Sequence, residues 1–152
     1  MNDNVLRIRK LSQRHAYISI QMHETIGRKM GLAGTDHKYL GFLLQRGRMT
    51  AGELATLTGL TTGAVTGLID RFVKKKLVKR QLDKEDRRKV IIVPDTGKIT
   101  ALLTPFYKDF QDQTEKLFAS FSAAELKTLE KYFEGALEIM NNKIEQFNSN
   151  NH

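Results

Sequence analysis

The chain has 152 residues, 40% of them hydrophobic and 28% charged, the usage of an ordinary soluble globular domain, and at this length a core can bury about 68–70% of the unfolded surface without staples. It contains no cysteine, which excludes disulfide scaffolds, thiolate zinc sites, iron–sulfur clusters and thiol-based redox switches. The net charge is +8, and it is concentrated: residues 71–89 hold ten basic and three acidic side chains, a net of +7, against +4 for residues 1–70 and −3 for residues 90–152.

Asn4 to Met30 reads as a helix, because Val5, Ile8, Leu11, His15, Ile18, Met22 and Ile26 recur at three or four residues. Gly31 and Gly34 break it. Thr35 or Asp36 can cap a second helix reaching about Gln45, with Tyr39, Leu40, Leu43 and Leu44 as its apolar stripe. Arg46-Gly47-Arg48 is a turn. Thr50-Ala51-Gly52-Glu53 is a capping box that opens a short helix with Leu54, Ala55 and Leu57 inward. Gly59-Leu60-Thr61 interrupts it, and another helix starts near Thr62 with Val65, Leu68, Ile69 and Phe72 on one face. Two short helices joined by a three-residue glycine-containing turn form a helix-turn-helix.

Leu77–Leu82 and Lys89–Val93 have the length and composition of strands, and the polar run Asp83–Arg88 between them reads as a hairpin tip. A hairpin directly after a helix-turn-helix is a wing. Pro94 stops the second strand. Helical periodicity returns from about Asp95 through Ile99, Leu102, Leu103, Phe106, Phe110, Leu117 and Phe121, with a kink expected at Pro105. Ser122–Glu125 is a second capping box, opening a last helix that carries Leu126, Leu129, Phe133, Leu137, Met140, Ile144 and Phe147 as an apolar stripe, and Asn148–His152 reads as a disordered tail. The fold class is therefore mainly α with a small β-wing: a winged helix-turn-helix lobe over residues 35–94, flanked by helices 1–30 and 95–147 whose apolar stripes suit dimerisation with a second copy.

No run of eighteen apolar residues exists, and Met1–Lys10 lacks the apolar stretch of a signal peptide, so the expectation is a cytoplasmic protein with no membrane partner. No enzyme is legible. His15, His23, His37 and His152 are dispersed, and His15 and His23 project about 80° apart on a helix, so structural or solvated histidines are favoured over metal ligands. No strand leads into Gly59, Gly63 and Gly67, so they form no dinucleotide fingerprint. Neither metal nor cofactor is expected.

The constellation that carries chemistry is residues 50–89. Thr61, Thr62, Gly63, Ala64, Thr66 and Gly67 are small and hydrogen-bonding, which suits a helix start pressed into a major groove. Amides and the helix dipole meet phosphate there, threonine hydroxyls reach base edges, and Ala64 can touch a thymine methyl. Ordinary capping and tight helix packing explain the same residues equally well. Arg71, Lys74 and Lys75 can clamp backbone oxygens, which gives affinity without sequence information, so Lys75→Ala should weaken binding to all sequences alike. At the wing tip, Arg87 and Arg88 offer guanidinium groups to a narrow minor groove, and Asp86 can aim Arg88 by an ion pair. The bland alternative is a soluble hairpin whose edge charges discourage aggregation.

Residues 50–98 resemble the MarR family of winged-helix transcriptional regulators. The matching segments are Thr50-Ala-Gly-Glu-Leu-Ala55, Val65-Thr-Gly-Leu-Ile-Asp-Arg71, Leu77-Val-Lys-Arg80 and Asp83-Lys-Glu-Asp-Arg-Arg88, followed by a strand and Gly97. The flanking helices occur in the family's order over nearly the whole chain. Two departures fall at element ends: Lys76 stands where the family often has glycine, and Val93-Pro94 where it has Leu-Thr. The resemblance implies a homodimer on palindromic double-stranded DNA, with recognition helices in successive major grooves and Arg88 in the minor groove. It implies a repressor relieved by a small-molecule effector, for which His15, Met22, Tyr39 and Phe42 are candidate lining residues, although core packing is the favoured reading of those four. The competing reading is a winged-helix interaction module that binds a protein or an anionic surface without sequence-specific DNA recognition.

Overall fold

The computed structural model describes residues 2–34 and 36–149. Thr35 as a cap, His152, and residues 150–152 of the expected tail lie outside that range. Six helices and three short strands follow in the order α1 (Asp3–Lys29), α2 (Asp36–Arg46), β1 (Met49–Thr50), α3 (Ala51–Thr58), α4 (Thr62–Lys74), β2 (Val78–Leu82), β3 (Val90–Pro94), α5 (Thr96–Ala119) and α6 (Ala123–Ser149). The mainly helical fold with a small winged sheet is as expected. The chain divides into one compact unit ending at Phe106 and a second beginning at Tyr107, so the division falls inside α5.

The first unit is organised around α4. Its inward stripe, Val65, Leu68, Ile69 and Phe72, is fully buried with Leu40 and Leu43 of α2, Leu54 of α3, Ile92 of β3 and Ile99 of α5. Local chemistry starts α3 where the spacing says it should. Thr50 Oγ1 accepts from the Glu53 amide at 3.1 Å while Glu53 accepts from the Thr50 amide at 2.8 Å, a complete capping box. Gly59, in the left-handed region at φ 70°, closes α3 with its amide on the Ala55 carbonyl.

Several details differ from the sequence reading. Leu57 is exposed rather than inward, because α3 is only eight residues long and one turn of it meets the core. Asp36 does not cap α2: it is the helix's first residue, and its carboxylate bonds across to Arg71 instead. Asn148 and Ser149 belong to α6 rather than to a tail. The sheet has three strands, in the order β1-β3-β2, all antiparallel. Met49 pairs with Ile92 and Arg80 pairs with Ile92 from the other side, so these residues share one face of the sheet with Val78. Pro94 is the last residue of β3, opposite Val78, where a missing donor costs least.

The end of α4 explains one departure from the family pattern. The Leu77 amide donates to the Phe72 carbonyl and the Lys76 amide to the Val73 carbonyl, both at 2.9 Å, which is a Schellman closure. This closure needs a left-handed residue at its centre, and Lys76 takes that position at φ 59°. An L-residue there is strained by about 1–2 kcal/mol. Lys76→Gly is expected to stabilise the protein by about 1 kcal/mol, read as a higher urea midpoint at unchanged m-value. An unmoved midpoint would show that the strain is relieved elsewhere.

Between α1 and α2, His37 is buried and its ring stacks on His23 at a centroid distance of 6.2 Å. Gly27 makes room for it, since a Cβ there would stand 2.7 Å from His37 Nδ1. That nitrogen is buried and has no hydrogen-bond partner among the described residues. Burial first, and the neighbouring His23 second, hold the His37 pKa below the ordinary histidine value. The native state thus binds this proton less readily than the unfolded chain does. The group's contribution is complete above the ordinary value and is lost as pH falls from there toward the lower native one. The thermal midpoint is expected to drop between about pH 7 and pH 5, and His37→Gln to flatten that drop. A slope unchanged in His37→Gln would assign the acid sensitivity to other groups.

Candidate nucleic-acid interface

All the residues singled out at positions 61–88 lie in the first unit, on α4 and on the loop between β2 and β3. Thr61 caps α4, its Oγ1 accepting from the Ala64 amide at 3.2 Å. Thr62, Gly63, Ala64 and Thr66 are exposed on the side of the helix away from the core, and Gly67 is half-buried. Thr62 and Thr66 are one turn apart and so face the same way. The Thr66 hydroxyl donates to the Thr62 carbonyl at 3.0 Å, which leaves its oxygen able to accept. The exposed start of α4 is therefore a low ridge of small side chains and hydroxyls, thin enough for its backbone to approach a groove floor.

The basic residues are not equivalent. Lys74 and Lys75 are exposed at the end of α4, and Lys75 leans toward the α1–α2 turn, with Nζ 3.9 Å from where a Cβ on Gly31 would stand. Arg71 forks onto Asp36: Nε donates to one carboxylate oxygen at 2.7 Å and Nη2 to the other at 2.9 Å. This bond pushes the guanidinium pKa further up, from a value that already keeps it charged. Arg80 pairs with Asp70 of α4.

The β2–β3 tip is built by its own carboxylates. Asp83 accepts from the Glu85 and Asp86 amides, which holds its carboxyl below the usual range. Asp86 accepts from both the backbone amide and Nε of Arg88, at 3.1 and 3.2 Å. The ion pair expected at this spacing is therefore present, and the Arg88 side chain projects from it 92% exposed. Arg87 beside it is also exposed.

The sequence did not disclose the ion pairs of Asp36 with Arg71 and of Asp70 with Arg80. Arg80 had a signal: in the alternation Val78-Lys79-Arg80-Gln81-Leu82 it occupies the apolar face, where a charge requires a partner. Asp36 had none, because its partner is 35 residues away.

Of the four candidate effector residues, His15 is exposed, Met22 and Phe42 are half-buried, and Tyr39 is buried with its ring stacked on Phe42 at 6.3 Å. A shallow cleft of about 610 Å³ lies elsewhere, bounded by Val73, Lys76, Val78, Val93, Pro94 and Lys98. Among the described residues no cluster of three His, Asp or Glu could hold a metal ion, and no helix is long and apolar enough to cross a membrane.

Comparison with known proteins gives a consistent picture. A profile of the MarR family matches residues 30–89. Over 138 residues the chain is 35% identical to YcgE, an HTH-type transcriptional regulator of Bacillus subtilis, covering 91% of this chain and 86% of that one. Its fold is similar to that of a MarR family protein from Bacillus stearothermophilus, at a TM-score of 0.71 and 24% identity over 93% of this chain and 99% of the other. It is also similar to a mutant MarR from E. coli complexed with operator DNA, at a TM-score of 0.55 and 23% identity over 86% of this chain and 96% of the other.

Proposed function

The chain belongs to the MarR family of transcriptional regulators, and from that premise we propose that it is a homodimeric repressor that reads a near-palindromic operator and occludes a promoter. Residues 35–94 form the DNA-reading lobe in this proposal, and residues 1–30 and 95–147 join the two copies. Thr62, Gly63, Ala64 and Thr66 enter the major groove, with Thr61 and Gly67 bounding the inserted segment. Lys74 and Lys75 meet phosphates. Arg87 and Arg88 take the minor groove beside it. Twofold symmetry then sets the half-sites about one helical turn (10–10.5 bp) apart.

The observation that carries this reading is the exposed, Asp86-braced Arg88 on the same compact unit as the outward-facing threonine ridge of α4. A carboxylate that orients a solvent-exposed guanidinium without burying it adds little stability, and it fits a group prepared for a ligand. An interaction module without DNA specificity would need no such aiming.

Arg88→Ala separates the two readings. It is expected to lower affinity by about 1–3 kcal/mol, and most for sites flanked by A·T-rich sequence. Lys74→Ala should lower affinity for all duplexes alike. Gel-shift titrations against duplexes that differ only in their flanks measure both effects. An Arg88→Ala protein with the wild-type flank preference would remove the arginine from the minor groove.

A further inference from the structure

We propose that Asp36 is a positioning residue for DNA recognition: by holding the Arg71 fork it keeps that arginine off the phosphate backbone and fixes how α4 is presented. The inference rests on the DNA-binding reading above and concerns residues outside the contact surface proposed there.

Three observations carry it. Asp36 is nearly inaccessible, its side chain 8% exposed, whereas Arg71 is 47% exposed. Both carboxylate oxygens are used, each by a different guanidinium nitrogen. A two-point fork between planar groups fixes orientation as well as distance, which a single lysine contact would not do. Second, the guanidinium lies back along its own helix beside Gly67, one turn earlier, where a Cβ would stand at ordinary contact distance, 3.4 Å from Nη1. Third, the anchor is itself anchored. His37, next to Asp36, is buried against Gly27 of α1, so the first turn of α2 cannot shift without disturbing α1.

The consequence is a continuous link from α1 through the first turn of α2 to the last turn of α4. Were Arg71 to leave for a phosphate, it would abandon a buried carboxylate with no counter-charge, a larger loss than one exposed phosphate contact returns. Arg71 therefore stays on Asp36 when DNA binds.

The test uses a duplex enriched by the wild-type protein from a random pool, beside a scrambled duplex of the same length. Affinity for each is measured across a salt series. Asp36→Asn with Arg71→Gln together leaves the net charge unchanged. Its salt slope is expected to equal that of the wild type, while its preference for the selected duplex falls about tenfold. Lys74→Ala should do the reverse, losing about one unit of slope per protomer with preference intact. Arg71→Lys, which retains a counter-charge beside Asp36 and safeguards folding, should lose preference like the double variant. Asp36→Asn alone releases the fork, so scrambled-duplex affinity should rise and the slope steepen.

A double variant that loses slope as Lys74→Ala does would make Arg71 a phosphate ligand and overturn the proposal. Unmoved preference in both the double variant and Arg71→Lys would overturn it as well, with the DNA-binding reading left standing. A wild-type protein that binds neither duplex in low salt would instead remove that reading, and this inference with it.

Discussion

Raising the salt from about 50 to 200 mM is expected to weaken operator binding by about 10³–10⁵. The estimate follows from which cations remain available. Of the ten basic residues between 71 and 89, Arg71 is held by Asp36 and Arg80 by Asp70. Lys74 and Lys75 are the proposed phosphate contacts, and the exposed Arg87 and Arg88 enter the minor groove, where a cation also displaces condensed counterions, so a dimer would displace the counterions of about eight phosphates. Each neutralised phosphate contributes about 0.9 to the slope of log affinity against log salt, and a fourfold salt increase multiplies that slope by about 0.6 decades. The result lies inside the stated range. Fluorescence anisotropy with a labelled duplex measures it directly. A decline of less than about tenfold would mean that few of these cations touch DNA, and the basic cluster would then be a solvated surface.

Composition alone would count Arg71 and Arg80 among the free cations, although their partners hold both. Periodicity located α4 and its buried face, because Val65, Leu68, Ile69 and Phe72 repeat at helical spacing and every one of them is buried. The capping box at Thr50 and the ion pair of Asp86 with Arg88 were legible for the same reason: each is a contact between residues two or three apart. The Arg71 fork joins residues 35 apart and no local pattern encodes it, whereas the alternation of β2 marks Arg80 as needing a partner without saying that Asp70, 10 residues away, supplies it. Strand β1 was lost because two residues carry no alternation, and Thr50 already belonged to a capping signal. The strain at Lys76 was half-visible, as a lysine where the family resemblance implies glycine, but its cause required the closure geometry of α4.

Placing a charge in the apolar stripe of α6 is expected to separate the proposed dimer and abolish operator binding with it. Among its 27 described residues α6 buries none, although Leu126, Phe133, Leu137, Met140, Ile144 and Phe147 recur along one stripe. Spacings of seven between Leu126, Phe133, Met140 and Phe147, and between Leu137 and Ile144, are the period of a helix seam that packs against another helix. In α1, likewise, Val5, Ile8, Leu11 and Ile18 are more than half exposed. Apolar stripes of this length are seldom left in water by a monomer.

Burying one leucine or isoleucine is worth about 1.5–3 kcal/mol, and a twofold dimer counts each substitution twice. Leu137→Glu should therefore raise the dimer dissociation constant by about 10²–10⁴, before any cost of burying the new charge. Dissociation also removes the second half-site, whose linkage supplies avidity of about 10²–10⁴. Two readouts follow: sedimentation shows the shift from dimer to monomer, and gel-shift shows the loss of operator binding. Glu138→Gln, one residue off the stripe, should leave both unchanged. A wild-type protein that sediments as a monomer at micromolar concentration would refute the dimer, and a Leu137→Glu protein that stays dimeric would move the interface off this stripe.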